Sequence, residues 1–99
     1  MEGYKETNNK ISYQEIDWDY ITMMAGRMNQ NKVKYGKDNY KLPMDIDLLK
    51  DALLRHVIAA MQPKANDEDS FEDHLAAIGC NCMIINYQLK HNESKNENR

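Results

Sequence analysis

The sequence predicts a small all-α domain of three to four helices, completed by oligomerisation. Apolar residues recur at three- and four-residue steps in three separate stretches, as they do along one face of a helix. No stretch alternates with period two between hairpin turn signals, so strands are not expected. The chain has 99 residues, and both ends are polar. A flexible segment is expected over residues 1–12, a single domain over 13–91 and a disordered polar tail over 92–99. That leaves roughly 75–80 residues to build a core, a size at which burial alone is marginal. Self-association into a homo-oligomer would supply what is missing.

The first helix is expected over residues 14–31, where Trp18, Ile21, Thr22, Ala25 and Met28 share one face. Asp17 and Asp19 fall in its early turns and suit the positive end of the helix dipole. Tyr35-Gly36-Lys37-Asp38-Asn39 then reads as a turn, with Gly36 providing a permissive backbone. Leu42-Pro43 continues the loop, because a residue before proline avoids helical angles. The second helix starts near Asp45–Asp47 and runs to Gln62. Its stripe is Leu48, Leu49, Ala52, Leu53, His56, Val57 and Ala60, and Pro63 stops it. Ser70 suits the N-cap of the third helix, with Asp73 three residues on as an acidic capping-box partner. That helix carries Phe71, His74, Leu75, Ile78, Met83, Ile85 and Leu89 and ends near Lys90.

Composition narrows the function. The formal net charge is −3, which provides no general attraction for nucleic acid. Lys32, Lys34, Lys37 and Lys41 form one local basic patch, which suits either a phosphate-bearing small ligand or a solvated loop. No apolar run approaches the ~20 residues of a membrane span, and no signal-peptide core opens the chain. Cys80 and Cys82 point in different directions on one helix, which suits neither a disulfide nor a zinc knuckle. Buried, reduced thiols and a cytoplasmic location are expected.

Two polar clusters interrupt the apolar helices. In Asp51-Ala-Leu-Leu-Arg55-His56, Asp51 and Arg55 share a face; taken alone they are an ordinary surface ion pair, and His56 a packed core imidazole. Asp67, Glu68, Asp69, Glu72 and Asp73 place five carboxylates within seven residues. Such a run is either a solvated helix start or an oxygen-rich site for Mg²⁺ or Mn²⁺, cations that bridge to nucleotide phosphates. Asp69 shares a face with Asp73 and also with Glu72. His74 and Asn81 lie seven residues apart on one face. Asn81 sits in an apolar context, where its amide either fixes helix packing or recognises a base, sugar or phosphate. Gly79 beside it admits a close approach by another helix or a ligand.

Three separated motifs carry a resemblance. Lys34-Tyr35-Gly36-Lys37-Asp38-Asn39-Tyr40 resembles a K-Y-G-x-x-N-W segment, and Asp51 to His56 resembles a D/E-A-x-x-R-H helix. Asp67 to Asn81 resembles a D-x-E-S/T-G-x-x-H-L-A-H-A-x-x-N stretch. Together they resemble phage and bacterial proteins related to the N-terminal domain of dATP/dGTP diphosphohydrolase. That group is placed with the all-α, MazG-like nucleoside triphosphate pyrophosphatases. Departures from the pattern include Tyr40, Asp69, Phe71 and Ala77, where the family has Trp, Glu, Gly and a second His. The acidic E-x-x-E and E-x-x-D signature of the better-known MazG branch is absent.

The resemblance implies a metal-dependent enzyme that converts a (d)NTP to (d)NMP and diphosphate, with Mg²⁺ or Mn²⁺ as cofactor. On that reading Asp51, Asp69 and Asp73 hold the metal, and His56 and His74 orient ligands or shuttle protons. Lys34, Tyr35, Asn39, Arg55 and Asn81 bind the nucleotide. The expected partners are a nucleotide and further copies of the chain. The lost ligands motivate an alternative: a non-catalytic phage-type protein that sequesters a nucleotide or inhibits a host protein, in the host cytoplasm if phage-encoded. A bare helical oligomerisation module is a third reading.

Overall fold

The computed structural model describes residues 10–92 and contains three helices, α1 (Trp18–Tyr35), α2 (Ile46–Met61) and α3 (Phe71–His91). A single 3₁₀ turn, Asn39–Lys41, follows α1. No strand occurs among the described residues. The flexible ends expected over 1–12 and 92–99 fall largely on residues 1–9 and 93–99, which lie outside the described residues. No helix among the described residues is long and apolar enough to cross a membrane.

The helix starts follow from capping side chains. The Asp17 carboxylate accepts from the Asp19 N–H at 3.1 Å, and Asp45 accepts from Asp47 at 2.9 Å. At α3 the full capping box forms: the Ser70 hydroxyl accepts from the Asp73 N–H at 3.0 Å, and the Asp73 carboxylate accepts from the Ser70 N–H at 2.9 Å. Gln62 closes α2 immediately before Pro63. The predicted spans of α2 and α3 therefore hold to within a residue or two. The first helix does not follow its prediction. It starts at Trp18 because Asp17 is the cap, and it runs on to Tyr35, where Gly36 takes φ 99° and ends it. Asp38 then takes φ 60°, a left-handed conformation that Asp accepts more readily than most residues.

The three helices run up, down and up, and α3 is the shared element: α1 packs on one flank and α2 on the other. This explains its small residues. The core consists of Ala60 from α2 with Ala76, Ala77, Cys80 and Ile84 from α3, so a slender helix admits a neighbour on each side. The Tyr20 ring crosses Gly79, and its hydroxyl donates to the Leu75 carbonyl at 2.6 Å. The Cys80 thiol donates to the Met24 carbonyl at 3.4 Å. Gly79 thus admits a side chain of α1, the first of the two roles its sequence context allowed.

Two sequence expectations fail here. Trp18, Ile21, Thr22 and Ala25 are exposed, and α1 meets α3 through Tyr20 and Met24 instead, with Met23, Arg27, Met28 and Asn31 half-buried. The true contact face has the same helical period rotated by roughly one residue; thioethers and a hydrogen-bonded phenol fit beside Gly79 better than an indole would. Cys80 is buried as expected, but Cys82 is exposed, since α3 has a solvent side.

Gln88 is fully buried and ties the loop before α2 onto α3. Its amide nitrogen donates to the Tyr40 and Leu42 carbonyls at 2.7 and 2.8 Å, and its oxygen accepts from the Met44 N–H at 3.0 Å. The same oxygen accepts from Asn92 at 2.8 Å. All the amide's main hydrogen-bonding positions are used, which is what makes its burial tolerable.

Candidate functional site

α2 and α3 run antiparallel, which brings His56 against His74. Their Nδ1 atoms lie 3.0 Å apart, with ring centroids 5.2 Å apart. His74 Nε2 meets the Asp67 carboxylate at 2.7 Å. Asp67 is positioned by the turn it caps, accepting from the Asp69 N–H at 2.9 Å. On the other side, Arg27 Nη2 from α1 approaches His56 Nε2 to 3.5 Å, a long contact. Four side chains from all three helices and the connector thus form one row.

The row fixes the proton positions. An Asp67 carboxylate only accepts, so His74 carries its proton on Nε2 and leaves Nδ1 as a lone pair. Arginine only donates, so His56 presents a lone pair at Nε2 and its proton at Nδ1, aimed at His74. With these tautomers the row runs Arg27 to His56 to His74 to Asp67, each donating to the next. Burial, reinforced by the positive charge of Arg27, holds His56 below the ordinary histidine range. The hydrogen bond from His74 holds Asp67 below the usual carboxylate range. Arg27 makes no ion pair among the described residues.

Asp69 joins the two imidazoles: one ligand atom each from His56, Asp69 and His74 lies within 4.8 Å of the others. A small cavity of about 80 Å³ opens beside them, lined by Lys64, Asp67, Asp69, Phe71 and His74 among others. Asp51 and Asp73 are outside this group. Asp51 is exposed on α2, and Asp73 is occupied by the capping box, where the Ser70 N–H holds its carboxyl below the usual range.

A second feature lies two turns further along α3. A groove of about 440 Å³ runs between the end of α1, the 3₁₀ turn and α3. Tyr35, Asn39 and Asn81 line it, with Lys32, Lys37 and Tyr40 around them. This volume falls within the usual range for small-molecule sites. Of the five residues expected to bind nucleotide, these three come together. Lys34 stands outside the groove with its ammonium 5.1 Å from the centre of the Tyr35 ring. Arg55 faces a separate cavity of about 400 Å³ with Gln62, Lys64, Asn66 and Asp67. Asn81 is half-buried rather than interior, so its amide has access to the groove.

Sequence reading missed Arg27, because a single arginine on a helix reads as solvated surface. It also passed over the role of Asp67, although the acidic run contained the signal.

Among known protein families, a sequence model described as dATP/dGTP diphosphohydrolase, N-terminal, fits residues 1–98. No curated protein and no solved structure matches the chain. With nearly the whole chain covered, the protein belongs to the dATP/dGTP diphosphohydrolase N-terminal family.

Proposed function

We propose that this protein is a metal-dependent nucleotide pyrophosphohydrolase on a MazG-like helical scaffold, converting a (d)NTP to (d)NMP and diphosphate. One observation carries the reading: the His56–His74–Asp69 group and the Asn81 groove follow one another along the same face of α3. In this arrangement the nucleoside occupies the groove, with a base against Tyr35 or Tyr40 and hydrogen bonds from Asn39 and Asn81. The phosphates extend toward the imidazoles and Arg27, and Lys32 and Lys37 offset charge from the groove side.

The family's hydrolytic activity implies a divalent metal, and the donor set can be tested for fit. Two imidazoles and a carboxylate suit Mn²⁺, whereas Mg²⁺ prefers all-oxygen ligands. His56, His74 and Asp69 would hold the ion, and it would supply phosphate charge neutralisation and a more acidic water. Water adds its oxygen to the α-phosphorus, the bond to the bridging oxygen breaks, and diphosphate leaves. His74, oriented by Asp67 at Nε2, would present its Nδ1 lone pair to the ion, and the proton that this water loses passes to solvent.

The test is a nucleotide panel with and without Mn²⁺, read for diphosphate release and melting temperature. dATP or dGTP with Mn²⁺ is expected to turn over, and Asn81→Ala is expected to raise KM about tenfold, the equivalent of one lost hydrogen bond. Nucleotide stabilisation without release by well-folded protein would instead favour a sequestering role. Stabilisation by neither metal nor nucleotide would favour a host-protein partner.

We also propose self-association. Leu54, Ile58 and Met61 form an exposed apolar stripe on α2, and Trp18 and Ile21 lie uncovered on α1. Light scattering is expected to give more than one chain per particle, and Ile58→Glu to reduce that number.

A further inference from the structure

We infer that His56, His74 and Asp69 bind a divalent transition metal of the Mn²⁺-to-Zn²⁺ series in preference to Mg²⁺, and that Arg27 competes with the ion for His56. The inference uses the site of the proposed function but does not depend on turnover there.

Geometry supplies the first support. Two ligands about 2.1 Å from a common ion lie about 3 Å apart when adjacent, which is the spacing of the two Nδ1 atoms. The carboxylate of Asp69 is within reach as a third donor. His74 is already prepared, since its Nδ1 lone pair faces inward while Nε2–H donates to Asp67. A carboxylate behind a ligating imidazole is the usual outer-shell arrangement, fixing tautomer and orientation. Nitrogen donors are the second support, because they favour transition metals over Mg²⁺.

His56 is prepared for the opposite state. While Arg27 stands at Nε2, the single proton of His56 sits on Nδ1, the atom an ion requires. Metal binding therefore moves that proton to Nε2 with no net release, and two donors then face each other. Arg27 must turn away, and its guanidinium becomes available to an anion. The ion and Arg27 are thus alternative partners of one imidazole, and loading the metal releases the group that would meet a phosphate.

The test uses the full chain stripped with a chelator and titrated with Co²⁺, followed by visible ligand-field absorption and by melting temperature. One saturable Co²⁺ per chain is expected, with a raised melting temperature and no competition from a large excess of Mg²⁺. Asp69→Asn and Asp67→Asn are each expected to weaken binding at least ~10-fold, and Arg27→Leu to strengthen it severalfold. Circular dichroism checks folding, and the two Asp→Asn changes avoid emptying the buried His74 position. Absence of Co²⁺ binding by folded protein, equal competition by Mg²⁺, or affinity indifferent to Asp69→Asn would overturn the inference. Loss of affinity in Arg27→Leu would overturn the competition. A Co²⁺ site that meets these expectations in a protein releasing no diphosphate would leave this inference standing and remove the hydrolytic one. Turnover with Mg²⁺ that survives His56→Gln would do the reverse.

Discussion

Gln88→Met is expected to destabilise the protein by about 3–4 kcal/mol. Methionine nearly preserves the side chain's volume, so little of that cost comes from packing. It comes from the Met44 N–H and the Tyr40 and Leu42 carbonyls, which lose their partner together. Each backbone group left unpaired in a buried place costs ~1–3 kcal/mol, less whatever water recovers as the loop lifts. For a domain of this size the melting temperature falls by roughly 15 °C. Gln88→Glu does no better, since it keeps the acceptor but turns a carboxylate toward two carbonyls. A fall of only a degree or two would mean that the loop finds water without leaving α3. Because Tyr40 and Met44 also line the groove, nucleotide affinity is expected to fall with stability.

Gly79→Leu is the second large effect and acts on α1 alone. Even a Cβ at this position meets the Tyr20 hydroxyl and the Met24 sulfur, and a full leucine displaces both. Overpacking costs ~1–3 kcal/mol, and loss of the Tyr20–Leu75 hydrogen bond adds ~1 kcal/mol. Leucine returns nearly 1 kcal/mol of helix propensity. The expected net loss is about 2 kcal/mol, measured by thermal or urea unfolding. Tyr20→Ala in the same background is expected to restore part of it, and the double-mutant cycle reads the coupling. Additive effects would show that the ring does not set the distance between α1 and α3.

Much of this architecture is legible in the residues. The Ser70–Asp73 box, Pro63 and the stripe from Leu48 to Ala60 define α2 and α3, although Leu48 and Phe71, at the first turns of those helices, are exposed. At α1 local chemistry and tertiary packing disagree. Trp18 and Ile21 outweigh Tyr20, Met24 and Arg27 on any hydropathy reckoning, yet α3 offers a glycine and small side chains that suit the weaker face. Gln88 was invisible for a related reason: a polar residue near a helix end reads as surface unless its partners, some 44 to 48 residues away, are known. The motif residues Tyr35, Asn39 and Asn81 converge as one groove although two of them lie more than 40 positions from the third. The row from Arg27 to Asp67 depends on which way two imidazoles face, and spacing along one helix carries no such information.

The uneven sharing of contacts has a thermodynamic consequence. α1 leans on α3 and meets α2 at Arg27 and His56, while contributing Lys32 and Tyr35 to the groove. A ligand that spans groove and imidazoles therefore bridges a lightly held helix to a well-held pair. A helix so held is expected to undock at a free energy below that of global unfolding, and bound ligand would raise that free energy by RT ln(1 + [L]/Kd). Occupancy is thus written into the opening equilibrium of one helix, so that the amide protons of α1 would sense the ligand more than those of α2 or α3.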